Sequence, residues 1–276
     1  MTHPALINIA TLNIAIKAAR RASRIINRAA RNLDLLDVAS KQPNDFVTQI
    51  DREAENAIVE VLREASPDYG ILAEESGLSI GRNPQSECQW VVDPLDGTTN
   101  FIHGFPQYAI SIALMKNEQI EQGVIYDVNR NELFVAARGK GAFLNDRRLR
   151  VSGRLKLQDA LIGTGFPYRD FQHLNRYLRI FWELTQKTAG LRRPGAASLD
   201  LAYVAAGRLD GFWEFGLAPW DMAAGSLMVT EAGGYVCDPF SNADCLHSGD
   251  IVAASPRILA QLQAVIQNAD KTPRAA

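Results

Sequence analysis

Residues 90–100 read WVVDPLDGTTN. An apolar run closes on two acids three residues apart, Asp93 and Asp96, and Gly-Thr-Thr follows at once. A buried strand that ends this way delivers carboxylates to one edge of a sheet, where a cleft can form. Asp, Pro and Gly are also ordinary turn formers, so the string alone reads equally well as a plain turn. The surrounding segments separate the two readings.

Upstream, residues 51–65 (DREAENAIVEVLREA) place Ala54, Ala57, Ile58, Val61, Leu62 and Ala65 on one helical stripe. That helix is entered through Thr48-Gln-Ile-Asp51, with an acid at its positive end. Residues 5–30, rich in Ala and Ile and free of Pro and Gly, predict a long helix carrying Arg20, Arg24, Arg28 and Arg31 on one face. Downstream come short strand-like runs: GILAEE (70–75), QWVVD (89–93), YAISIALM (108–115), EQGVIYD (121–127) and ELFVAAR (132–138). The gaps between the last three suit antiparallel hairpins.

Beyond about Val151 strand and helix alternate through ALIGTG, HLNRYLRIFWELTQ, SLDLAYVAAG, GFWEF, DMAAGSLMVTEAGG, DIVAAS and a final helix. The expected organisation is an N-terminal α+β lobe over 1–152, built on an antiparallel sheet, and a C-terminal α/β lobe over 153–276. No Ser/Gly/Pro-rich linker divides them, so tight packing of the lobes is expected.

Composition removes several function classes. The 276 residues carry a formal net charge of −2, which offers nucleic acid or an anionic membrane no global attraction. Hydrophobic residues at 47% and charged residues at 22% exclude a disordered chain. Three cysteines without Cys-x-x-Cys spacing fit small buried hydrophobes in a reducing cytosol better than a disulfide framework or a zinc site. No apolar run is long enough to cross a membrane. From Met1 to Leu33 there is no acid, while Lys17, Arg20, Arg21, Arg24, Arg28 and Arg31 are basic. That charge follows the apolar stretch, which is the wrong order for a secretory signal; an Arg-rich, acid-poor start is also what a mitochondrial transit peptide has.

The acids that matter stand where elements begin or end. Glu74 and Glu75 close GILA, Asp93 and Asp96 close WVV, and Asp51 and Asp221 open helices. Carboxylates brought together repel one another and resist desolvation, and a divalent cation removes that cost. With no His in a ligand spacing, an all-oxygen set points to a hard ion, Mg²⁺ or its substitute Mn²⁺. Within DPLDGTT, Pro94 stiffens the backbone and the Leu95 carbonyl lies between the two acids. Gly97 allows close approach of a ligand, and Thr98 and Thr99 can start a short helix whose N–H groups accept an anion.

EES (74–76), WVVDPLDGTTNF (90–101) and WDMAAG (220–225) together resemble the inositol monophosphatase family of Mg²⁺-dependent, lithium-sensitive phosphomonoesterases. NDFVTQID (44–51), RNELF (130–134), GAFLN (141–145) and TGFP (164–167) extend the resemblance over most of the chain. RRPGAASLDLAYVAAGRLDGFWEFGLAPWD (192–221) looks closest to its bacterial SuhB-type branch. The resemblance implies a layered αβαβα sandwich of the sugar-phosphatase type. It also implies hydrolysis of inositol monophosphate, or a similar small polyol phosphate, by in-line attack of water activated at two or three metal ions.

Carried over residue by residue, Glu74, Asp93 and the Leu95 carbonyl match the ligands of a first metal, and Asp93, Asp96 and Asp221 those of a second. Asp51 matches an acid that holds metal-bound water or a third ion, and Thr98, paired with it, a hydroxyl that helps activate water; Glu74 joins them as a catalytic residue. Gly97 and Thr98 N–H groups match the phosphate seat, Glu214 an acid that binds substrate hydroxyls, and Gly195 and Ala196 the backbone wall beside it. Glu75 is assigned a structural role, and Trp90, Trp213 and Trp220 packing roles.

A cytoplasmic homodimer is the implied assembly. The same branch implies a second role, as a partner in a bacterial transcription antitermination complex on ribosomal RNA operons. The basic first helix suits an acidic protein surface; lacking aromatic residues for base stacking, it is not expected to read nucleic-acid sequence directly. Fructose 1,6-bisphosphate, nucleotide phosphates and histidinol phosphate stand as alternative substrates for the same chemistry.

Overall fold

The strand carrying Asp93 does not stop there. In a computed structural model, which describes residues 10–33, 38–42, 45–167, 171–241 and 243–271, it runs on through Asp96. The predicted helix residues 5–9 and Asn44 of the NDFVTQID string lie outside the described residues.

In chain order the first half builds α1 (Ala10–Ala29), β1 (Val38–Gln42), β2 (Asp45–Thr48), α2 (Gln49–Ala65), β3 (Gly70–Ala73), β4 (Gly77–Ser79), β5 (Cys88–Asp96) and α3 (Thr98–Ile102). It continues with β6 (Ala109–Lys116), β7 (Gln119–Asp127), β8 (Glu132–Ala137), β9 (Gly141–Leu144) and β10 (Arg147–Arg148). The second half adds β11 (Leu161–Thr164), α4 (Leu174–Lys187), β12 (Gly190–Arg192), α5 (Ala197–Ala205), β13 (Gly211–Glu214) and α6 (Pro219–Glu231). It closes with β14 (Tyr235–Cys237), α7 (Cys245–Ser248), β15 (Ile251–Ala254) and α8 (Pro256–Lys271).

Strands β3 to β10 form one sheet in the order β10-β9-β8-β7-β6-β5-β3-β4, and β11 to β15 a second in the order β12-β11-β13-β15-β14. The first sheet is antiparallel except where β3 runs parallel to β5, which brings the ends of both strands, and so Glu74 and Asp93, to the same edge. Asp93 pairs with Ser111 and Asp96 with Ala109, so three steps on β5 face two on β6. The expected turn is therefore a β-bulge inside the strand. Its extra residue accommodates Pro94, which has no N–H to give a regular ladder, and re-aims the side chains that follow.

Five layers stack as αβαβα. α1 and α2 cover one face of the first sheet, α5 and α6 fill the space between the sheets, and α4 and α8 cover the far face of the second. Burial follows the sequence of each helix. α1 is amphipathic and buries Leu12, Ala15, Ala19, Ala22 and Ile26 while its arginines face outward. α6 has no polar stripe and buries every residue from Met222 to Val229, as a middle layer must. Gly225 permits that layer to close: a Cβ there would sit 2.5 Å from the Leu201 Cβ of α5.

On α2, the predicted stripe is buried except Ala65, which is exposed at the last helical position, where no neighbouring layer reaches. Its entry is a capping box. Thr48 Oγ1 accepts from the N–H groups of Ile50 and Asp51, and the Asp51 carboxylate accepts the Thr48 N–H at 2.8 Å. The short strands β4, β9, β10, β12 and β14, all but β9 at sheet edges, were not anticipated, since runs of two to four residues carry too little periodicity to read. The three cysteines are unpaired, with Cys245 buried and Cys88 and Cys237 half-buried.

Candidate metal and phosphate site

Asp93 and Asp96 straddle the bulge of β5, and Asp221 lies in the first turn of α6. One carboxylate oxygen from each falls within 4.8 Å of the other two. Backbone donors fix all three side chains. Asp93 Oδ1 accepts the Leu95 N–H at 2.9 Å, Asp221 Oδ2 the Ala218 N–H at 2.7 Å, and Asp96 Oδ2 the Ser198 N–H at 2.8 Å. α6 can aim Asp221 this way because Pro219 stands in its first turn, where the missing N–H is not needed.

Burial drives the Asp93 carboxyl well above the ordinary carboxylate range, and the charges of Glu74, Asp96 and Asp221 push it further. Burial likewise lifts Asp96 to about 6, against the lowering effect of the hydrogen bonds from Ser198. Three acids held at this spacing, all offering oxygen, form a donor set suited to a hard divalent cation, which would reverse both shifts. The residues fit the group that the sequence led one to expect.

Glu74 follows β3 directly, its N–H donating to the Val92 carbonyl at 3.1 Å, and it lines the same cavity. The turn behind it is held by Glu55, whose buried carboxylate takes the N–H groups of Glu75 and Ser76 at 2.8 and 2.9 Å. Thr98 opens α3. Its hydroxyl reaches Asp51 Oδ1 at 2.8 Å and the Leu95 carbonyl at 3.1 Å. Asp51 does not line the cavity; it lies buried behind Thr98, and burial raises its pKa. Gly97 turns the chain at φ 93°, and a Cβ there would stand 2.8 Å from the Gln107 carbonyl oxygen, so only glycine suits the corner.

The cavity these residues share measures about 560 Å³. Its far wall is Gly195, Ala196 and Glu214, the last at the end of β13 and packed against Gly165, where no Cβ could be fitted. Every residue proposed from the sequence is thus drawn to one cleft, with Asp51 one step behind it. Three contributors escaped sequence reasoning: Glu55, Ser198 and Asn100. The Asn100 Nδ2 bonds to the carbonyls of Gln107, Pro194 and Gly195 at 2.7, 2.9 and 3.2 Å. Asn100 was legible as the last letter of DGTTN; the other two act through folds of the chain that no local pattern announces. Trp90 and Trp213 are fully buried, in keeping with packing roles.

Away from the cleft, Lys17, Arg20, Arg21 and Arg24 line a shallow groove of about 380 Å³ along α1. Arg21 is paired with Glu60, and Arg28 approaches Glu53 of α2 at 4.0 Å. No helix among the described residues is long and apolar enough to cross a membrane.

Residues 9–271 match the model of the inositol monophosphatase family. The chain is 54% identical over 255 residues to the putative Nus factor SuhB of Neisseria meningitidis serogroup B, covering 92% of this chain and 97% of that one. It is 49% identical over 246 residues to the inositol-1-monophosphatase of Mesorhizobium japonicum, covering 89% and 92%. The crystal structure of the extragenic suppressor protein suhB from Bartonella henselae superposes with a TM-score of 0.90 at 46% identity, covering 94% of this chain and 99% of that chain.

Proposed function

The chain belongs to the inositol monophosphatase family, and on that footing we propose that it is a Mg²⁺-dependent phosphatase of inositol monophosphate or a similar small polyol phosphate. The observation that carries this reading is the Asp93–Asp96–Asp221 cluster beside the Thr98–Asp51 pair. Glu74, Asp93 and the Leu95 carbonyl would hold one Mg²⁺, Asp93, Asp96 and Asp221 a second, with Asp51 near any third; Mn²⁺ is the natural substitute. When bound, the ions supply charge neutralisation for phosphate and leaving alkoxide and a lowered pKa for water.

The chain's own groups do the rest. Gly97 and Thr98 present N–H groups to the phosphate. A water that donates to Thr98 Oγ1 is aligned for in-line attack, and Asp51 Oδ1, already accepting from that hydroxyl, can take up the proton. Burial raises the Asp51 pKa, which makes its carboxylate form a stronger proton acceptor. Glu214 takes hydrogen bonds from the hydroxyls of the leaving polyol, and Gly195 and Ala196 wall its other side. Lithium sensitivity, a homodimeric state and a cytoplasmic location complete the reading.

Phosphate release from myo-inositol 1-phosphate, fructose 1,6-bisphosphate, a nucleoside monophosphate and histidinol phosphate tests it, with Mg²⁺, without it, and with added Li⁺. Mg²⁺-dependent, Li⁺-inhibited release from the inositol ester is expected. Release confined to the nucleotide would remove the polyol assignment, and no release from any ester would remove the phosphatase itself.

A second reading is favoured by the relatives named Nus factor SuhB and by the exposed Lys17, Arg20 and Arg24 of α1. In it, α1 docks an acidic surface of a transcription antitermination complex. Reversing the charge of Arg20, Arg24 and Arg28 should abolish salt-sensitive capture of that partner; full retention would end this reading.

A further inference from the structure

Ser198 stands outside the ligand set, yet it makes two bonds to a ligand. Its N–H and its hydroxyl both donate to Asp96 Oδ2, at 2.8 and 2.5 Å. The two residues are 102 positions apart, one on the bulged strand of the first sheet, the other at the start of the middle helix α5. Ser198 is fully buried and Asp96 nearly so, so water does not compete for either partner. Asn100 repeats the connection one turn away by gripping the Pro194 and Gly195 carbonyls. The segment 194–198 is thereby fastened to the segment 96–100 at both ends.

Two donors on one oxygen fix the carboxylate's rotation. They hold Asp96 Oδ2 toward α5, and the carboxylate so held still brings an oxygen within 4.8 Å of oxygens of Asp93 and Asp221. A carboxylate that loses its side-chain donor and keeps only backbone donors has more freedom to swing, and it loses part of its aim on the cation before the cation arrives.

Resting on the metal-dependent reading of this site, we infer that Ser198 is a positioning residue that presets Asp96 as a cation ligand and so tunes the affinity of the second metal position. The backbone donors at 197 and 198 survive any substitution of Ser198 other than proline; the hydroxyl is the adjustable part of the clamp.

The test is Mn²⁺ binding to the full chain, by calorimetry and by the electron paramagnetic resonance signal of free Mn²⁺, with no substrate present. Ser198→Ala should weaken Mn²⁺ binding at the position that contains Asp96 about tenfold or more, the scale set by partners of metal ligands. Ser198→Cys, similar in shape but a weak donor, should fall between Ala and Ser. The Mn²⁺ dependence of phosphate release should shift by the same factor. Mn²⁺ binding by Ser198→Ala that equals the parent's would overturn the inference and leave the phosphatase reading standing. A parent chain that binds no Mn²⁺ would instead overturn that reading, and this one with it. A change in folding alone, with affinity retained by both variants, would also sink the positioning role.

Discussion

Glu55 accepts the N–H of Ser76 at 2.9 Å across 21 residues of sequence, and with its other oxygen it takes the N–H of Glu75. A buried carboxylate on α2 thus sets the backbone next to a candidate ligand, Glu74. Replacing Glu55 by Gln turns one acceptor into a donor that faces an N–H. The expected result is a loss of about 1–3 kcal/mol in unfolding free energy, with a matching rise in the Mg²⁺ needed for half-maximal activity. Denaturant titration and metal-dependence curves on one preparation check both.

Asp96→Asn and Asp221→Asn keep the shape of each side chain and remove its charge. Each should lower Mg²⁺-dependent turnover by roughly a hundredfold or more, since stabilisation of developing charge is the dominant catalytic contribution at such sites. Far-UV circular dichroism should be unchanged. Near-parental turnover in both variants would contradict the assignment of the cluster.

Thr98 joins the cleft to Asp51 through a single 2.8 Å bond. Thr98→Ala should reduce kcat by about 10²–10⁴, the range typical of a lost proton-transfer group, with a smaller effect on KM. Thr98→Ser, which keeps the hydroxyl, should recover most of it. Equal losses in the two variants would assign the threonine a packing role instead.

The acid cluster also governs stability in the absence of metal. Asp96 is lifted from an ordinary value of 3.8 to about 6, and Asp93 and Asp51 shift in the same direction. The folded chain therefore binds protons more tightly than the unfolded one through this window, so unfolding free energy must fall as pH rises from about 4 past 6. Metal-free protein should melt at a higher temperature near pH 5 than near pH 7.5, allowing for other groups by comparison with Asp96→Asn. Mg²⁺ should raise the midpoint most at the higher pH. A midpoint that climbs steadily with pH in metal-free buffer would contradict the raised carboxyls.

Much of this site could be read without coordinates because its ligands sit where elements start and stop. The strand ending WVVD, the helix opening PWD and the acid after GILA are each visible in a local window. What stayed hidden depends on pairs far apart in sequence. Ser198 looks like any helix-start serine until β5 is laid beside α5, and Glu55 looks like a surface acid on an amphipathic helix. The bulge at Pro94 was misread as a turn for a related reason: the partner residues on β6 reveal the extra residue, and β5 alone does not. The partition into lobes at 152 and 153 remains a proposal, and the middle helices complicate it, since α5 and α6 follow that point yet cover the first sheet.

That shared middle layer bears on how the chain is made. Val91, Ala113, Ile125, Phe134 and Ala136 of the first sheet belong to the same core as Leu201, Met222, Ala224 and Met228. A ribosome reaches those last residues only after the whole first sheet has emerged. Until then one apolar face of that sheet has nothing of its own chain to rest against. A nascent chain stopped short of residue 219 thus leaves that apolar face uncovered by α6, and exposed surface of this kind is what makes incomplete chains prone to aggregate.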